Sequence, residues 1–283
     1  MEKRKVEKFK TALLFLSPTL LAYAVIFVLP FFMGIYLSFA SFTSVNDAVF
    51  VGISNYKNAL NGAFLSSLLR TTVFSVLSVI SVNLFAFLLA LLLSQKTKGK
   101  NLFRTVFFMP NLIGGIVLGY IWQVIFNGIL YYRGLSLTSN SAFGFFGLLI
   151  LMNWQMIGYM MVIYIAAITG VDEAMIEAAK VDGASYKDVV LKIIVPSLTP
   201  AFTVCLFLTL ANSFKLFDQN LALTAGAPSG KTELAALNIY NTFYGGVGKE
   251  GTAQAQAVIF FVICVAFALL QFYFTSKKEN EVY

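Results

Sequence analysis

The sequence predicts an all-α membrane protein with six transmembrane helices, on three observations. First, 59% of the 283 residues are hydrophobic and only 12% are charged, whereas soluble domains carry about 25% charged residues. Second, mean hydropathy is +0.81, and apolar stretches of about 20 residues recur, each long enough to cross a hydrocarbon core of about 30 Å. Third, the stretches do not split into the alternating segments of about 10 residues that build a membrane β-barrel. Helices are favoured because in lipid each satisfies its own backbone hydrogen bonds.

A basic tail, residues 1–10, precedes a membrane domain expected over 11–275, with a second short tail at 276–283. The first apolar run, about 12–39, follows the basic start as a signal peptide would. It exceeds the 7–15 apolar residues of such a signal and contains Pro18 and Pro30, so a retained span is expected. Residues 41–66 read as a polar, aromatic loop with a short interfacial helix. The second span is placed at 68–93. The third, 102–126, carries Pro110 and Gly114-Gly115, which imply a kink and a close helix contact. The fourth is placed at 145–169. The fifth, 193–214, has Pro196 and Pro200 in its first turns, where proline costs least. A polar loop at 216–252 leads to the sixth span at 255–274.

Six spans put both termini on one side. Fourteen of the twenty basic residues fall on that side: Lys3, Arg4, Lys5, Lys8, Lys10, Lys96, Lys98, Lys100, Arg104, Lys180, Lys187, Lys192, Lys277 and Lys278. The excess marks it as cytoplasmic. The net charge of +7 is therefore topological, and nucleic acid is not an expected partner. The chain has no His, which removes the commonest metal ligand and the usual proton shuttle near neutral pH. Cys205 and Cys264 lie in apolar spans and read as reduced thiols. No catalytic set and no metal site are expected.

A long polar segment between two strongly apolar ones runs from Asp172 to Pro200. Asp172 and Glu173 open a helix at its positive end, and Met175, Ile176, Ala179 and Val181 can line one face. Gly183 interrupts the helix, and a second turn is expected from Ala184. The product is a helix–Gly–helix elbow whose small residues (Ala178, Ala179, Gly183, Ala184) admit another backbone closely. From pattern alone it is either a partner-docking element or an amphipathic helix resting on the membrane.

Glu177-Ala178-Ala179, then Asp182-Gly183-Ala184, then Ile193-Ile194-Val195-Pro196 resemble the EAA loop of the permease subunits of bacterial binding-protein-dependent ABC importers. Val195 stands where Leu is common, and Val189-Val190 where an aromatic is frequent. Residues 110–127 (PNLIGGIVLGYIWQVIFN) resemble the third-span region of sugar permeases. Residues 217–228 (FDQNLALTAGAP) resemble their external F-D…L-T-x-G-x-P loop. The likeness covers roughly 11–275 and is closest to the maltose and multiple-sugar type.

The resemblance implies a type I importer permease fold in the bacterial cell membrane, both termini cytoplasmic, with a coupling loop at 172–192 between the fourth and fifth spans. Glu177, Ala178, Ala179, Asp182, Gly183, Ala184, Tyr186 and Pro196 would couple to a cytoplasmic ATPase. Glu177 would pair with a basic residue either on that ATPase or on its own spans. The implied partners are two ATP-binding subunits, a second permease expected to be a different chain, an external sugar-binding protein and the lipid membrane. This chain would bind no cofactor, ATP and Mg residing on the ATPase. It would form the path for an oligosaccharide or disaccharide.

Sugar contacts in that family lie in the fourth and fifth spans, where Tyr159, Thr209 and Ser213 fall on matching positions. Asn212 is added for its polarity, and Asn153, Trp154 and Gln155 are further polar or aromatic groups nearby. Interhelical hydrogen bonding is the alternative use of such groups. Lys215 and Asp218 read as a gate pair or a solvated interface pair, and Trp122 and Trp154 as packing groups or interfacial anchors. The stretch Ala225–Thr232 (AGAPSGKT) misses a phosphate-binding Walker A loop at its first residue and lies outside a strand–helix context. An alternative substrate is glycerol-phosphate or another polar solute, although the spans carry few cations. A stand-alone secondary transporter would need inverted repeats and buried ionisable groups. A membrane enzyme would need a reactive cluster.

Overall fold

The computed structural model describes residues 14–95 and 99–280. The predicted tail 1–10, the first residues of the first span, Lys96, Lys98 and residues 281–283 lie outside them. Among the described residues four helices are long and apolar enough to cross a membrane: Leu14–Leu37, Gly62–Ser94, Ser141–Thr169 and Glu250–Tyr273. Two bent pairs complete six spans, Lys100–Leu112 with Gly115–Tyr131 at 103° and Tyr186–Ser197 with Thr199–Phe214 at 70°. The fold is all-α, with one two-stranded antiparallel ribbon, Ala40–Ser41 against Val49–Phe50.

The breaks are sharper than the sequence implies. In the third span Pro110 sits in a tight turn, Met109–Leu112, and Gly114 is extended at φ −61° and ψ 141°. The expected kink is therefore a full interruption. In the fifth span Leu198, at φ −90° and ψ 6°, separates two helices, and Pro200 lies in the first turn of the second one. The second span starts at Gly62 rather than near Leu68. Phe64, Ser67 and Thr71 are buried there, and packing carries the helix past the end of the apolar run.

The chain divides into two compact units. One comprises residues up to Asn61 with Ile239–Ile259. Within it buried Asn55 donates to the carbonyls of Ser38 (3.0 Å) and Ala40 (2.8 Å). Gly251, lacking a Cβ, lets the start of the sixth helix touch the Ala40 carbonyl and the Asn55 amide.

The other unit comprises Gly62–Asn238 with residues from Phe260. Its second span buries a stripe of Ser67, Thr71, Ser75, Ser78, Val82, Ala86 and Ala90 at three- and four-residue intervals. Small side chains at that spacing let helices approach closely where lipid gives no hydrophobic drive. This span packs along the fourth span and against Thr199–Phe214. At Gly158 on the fourth span, an added Cβ would collide with the Phe107 carbonyl, so the first half of the third span lies backbone-to-backbone on the fourth. Arg104 donates to the Leu93 carbonyl at 3.3 Å, joining the same half to the end of the second span.

Candidate functional site

The polar segment forms an elbow built by three local devices. The Asp172 carboxylate caps the helix Glu173–Val181 by accepting from the Ala174 N–H at 2.9 Å. The helix ends in a left-handed residue, Gly183 at φ +84°, a conformation open to glycine because it has no Cβ. The Ala184 N–H then reaches back to the Ala179 carbonyl at 2.9 Å. Ser185 opens the next helix, at Tyr186 rather than Ala184, through a reciprocal capping box with Asp188. Asp188 also lies 2.7 Å from the Lys192 ammonium. That ammonium first, and then Ser185, hold the Asp188 carboxyl down at about 2.

The elbow has an inner and an outer face. Ile176, Ala179 and Ala184 pack on the core that buries Val189 and Ile194. Met175 and Val181, which the sequence grouped with them, are exposed instead, at 52% and 88%. At about 100° per residue, Val181 lies roughly 140° around the helix from Ile176 and roughly 160° from Ala179, and so points off their face. The outer surface therefore presents Met175, Ala178, Val181 and Asp182, all exposed. Under the elbow is a cleft of about 620 Å³ where Ser94, Gln95 and Thr169 face Glu173, Glu177, Lys180 and Tyr186. Gln95 donates to the Tyr186 hydroxyl at 3.2 Å. Among the described residues Glu177 has no ion-pair partner. Pro196 is half-buried at the 70° bend.

A second, polar cavity of about 260 Å³ lies where the broken third span, the fourth span and the end of the fifth meet. Asn111, Gln155, Asn212 and Gln219 supply amides to it, and Lys215 and Asp218 one charge of each sign. Lys215 and Asp218 form no ion pair with each other. Of the four side chains proposed to meet sugar, Asn212 lines this cavity. Tyr159 packs its ring on Phe108 at 6.3 Å, outside the cavity lining. Ser213 is buried and donates to the Leu210 carbonyl at 2.8 Å. Thr209, fully buried, accepts from the Asn83 amide at 3.2 Å, while the Tyr164 hydroxyl donates to the Asn83 carbonyl oxygen at 2.8 Å. That three-span node uses Thr209 for interhelical bonding.

Sequence reasoning missed Asn83, Tyr164, Asn111 and Gln219. Asn83 carried a legible signal, an amide in mid-span, where a polar group needs a partner. Asn111 and Gln219 gain meaning only from the breaks that bring them together. Trp122 and Trp154 pack edge-on at 5.5 Å.

The stretch resembling a Walker A loop is a folded cap. Ala225, Gly226, Ser229 and Gly230 are all left-handed, and the next helix begins at Ala235, beyond the Lys-Thr pair. Asn220 binds the Thr232 carbonyl and the Leu234 N–H, and Thr71 accepts from the Ala235 N–H. Among the described residues no three His, Cys, Asp or Glu side chains converge as metal ligands.

Six spans, two of them broken, with a polar elbow packed on the bundle core, define a multi-span membrane protein with a built surface element. The chain aligns with a chain of a bacterial ABC transporter involved in the import of the acidic polysaccharide alginate, at a TM-score of 0.83 and 18% identity over 97% of this chain and 98% of that one. Residues 82–280 match the binding-protein-dependent transport system inner membrane component family, and the chain belongs to it. A probable starch degradation products transport system permease protein of Thermoanaerobacterium thermosulfurigenes is 41% identical over 99% of both chains. A multiple sugar-binding transport system permease protein of Streptococcus mutans is 28% identical over 94% of this chain and 95% of that protein.

Proposed function

We infer that this chain is one permease subunit of an ATP-driven sugar importer, and that the elbow is its connection to the motor. The observation that carries this is the two-faced elbow. Its inner residues, Ile176 and Ala179, are packed on the bundle core, while Met175, Ala178 and Val181 are left exposed as a docking face. An ATPase that moved this face would move the bundle with it, because the packed interface turns the elbow into a lever. ATP and Mg would be held by two partner ATPases. A second permease, a different chain, would complete the path, and an external protein would deliver the sugar. The segment 172–192 and both termini would be cytoplasmic, as the basic excess there supports.

The substrate reading rests on the polar cavity. Amides both donate and accept, as hydroxyl-rich sugars require. One Lys and one Asp leave the lining without net charge, which favours a neutral solute over glycerol-phosphate. The relatives named for starch products and multiple sugars support the same class. Asn212 is then the leading sugar contact, with Tyr159, Thr209 and Ser213 reached only if the spans rearrange.

The test is Gly183→Pro in the assembled complex. Proline fixes φ near −65°, against the +84° observed. The variant is expected to insert and assemble while losing sugar-stimulated ATP hydrolysis. Full stimulation would refute the lever.

A further inference from the structure

Gln155 occupies the junction of both broken spans. It is 8% exposed and sits on the unbroken fourth span. Its Nε2 donates to the Ile113 carbonyl at 3.3 Å, at the 103° break of the third span. Its Oε1 accepts from Gln219 Nε2 at 2.8 Å. Gln219 belongs to the short helix Asp218–Leu223 that follows the fifth span. That helix lies flush on the second half of the third span. A Cβ at Gly115 would stand 2.8 Å from Asp218 Cβ, and one at Gly119 would stand 2.5 Å from Ala222 Cβ. The two pieces are therefore packed together as one slab. Three residues along the fourth span, Gly158 fixes the other half of the third span by backbone contact. Gln155 thus lies between a fixed contact and the slab, and both Gln155 and Gln219 line the polar cavity.

We propose that Gln155 and Gln219 are a latch, which closes the polar cavity and opens in each transport cycle when sugar hydroxyls replace the amide–amide bond. The proposal rests on the sugar-import reading. Two physical arguments carry it. The cavity of about 260 Å³ is smaller than the roughly 300–1,000 Å³ that encloses small ligands, so a sugar of two or more rings needs the slab to move away from the fourth span. The bond that must break is a neutral one, and exchanging an amide partner for a hydroxyl leaves the number of hydrogen bonds unchanged. The competing view makes Gln155 a permanent brace that merely satisfies the carbonyl freed at Ile113.

The complete importer, reconstituted in vesicles, separates these views. Gln155→Cys with Gln219→Cys is joined by a short bis-methanethiosulfonate. Each single-cysteine variant treated with the same reagent is the control, and covers the native Cys205 and Cys264. The latch predicts that cross-linking stops sugar uptake and ATP hydrolysis, and that dithiothreitol returns both to the level of the unlinked pair, whose hydrolysis without sugar is already raised. Uptake that continues unchanged in the cross-linked protein would overturn the latch and leave the import reading intact. Absence of ATP-dependent uptake by the wild-type complex would instead remove the import reading itself, and the latch with it. If the cysteine pair does not assemble, Gln155→Leu and Gln219→Leu carry the test. Loss of the latch is expected to raise ATP hydrolysis several-fold without sugar, and an unchanged rate in both would overturn it.

Discussion

Single residues decide the account at Gly183, Asp188 and Asn83. A Cβ at Gly183 would meet no atom within 4 Å, so Gly183→Ala acts through backbone strain alone. It should cost about 1 kcal/mol, weakening coupling without abolishing it as proline does, in assays of sugar-stimulated hydrolysis. Asp188 is held at about 2 by Lys192 and Ser185. A carboxyl depressed in this way contributes stability above its unfolded pKa of about 3.9, a contribution lost only as pH falls toward 2. Limited proteolysis at the 182–186 turn should therefore be unchanged between pH 8 and pH 5, and Asp188→Asn should speed cleavage at pH 7. Cleavage that rises in the wild type by pH 5 would contradict the capping role. Asn83→Leu would take the amide acceptor from the Tyr164 hydroxyl and leave it only the Cys205 sulfur, a weak partner, at about 1 kcal/mol for the lost bond. Thermal unfolding in detergent should register the loss.

At the level of elements, periodicity made the six spans and the polar segment legible. The Gly-centred elbow was legible too, because proline and glycine carry backbone rules that hold without neighbours. The inner face of the elbow was not, since Met175 and Ile176 are equally apolar in sequence and only packing separates them. The same limit hid the polar cavity. Asn111 and Gln219 are far apart in the chain and meet through the Met109–Gly114 break and the turn after Phe214. Thr209 was a sound polar candidate, but the Asn83 amide across the bundle claims it. Two predictions belong here. Gly158→Leu should disrupt the third and fourth spans, because its side chain must displace the Phe107 backbone, and overpacking costs about 1–3 kcal/mol or more. Asn212→Ala should raise the KM for sugar uptake more than Tyr159→Ala or Ser213→Ala does. A larger effect from Tyr159→Ala would move the sugar path away from the amide cavity.

For the whole molecule, the proposed function is that of a bundle driven through the elbow by an ATPase to move sugar past the broken spans. Apolar composition and charge placement already favoured a membrane protein with one strongly basic side, and the two-faced elbow is the proposed point of drive. The most direct measurement is sugar uptake into vesicles containing this chain, its second permease and the ATPases, with binding protein supplied outside. Uptake is expected to require ATP and every component, and to be eliminated by Gly183→Pro. Uptake by this chain alone without ATP would contradict the proposed function.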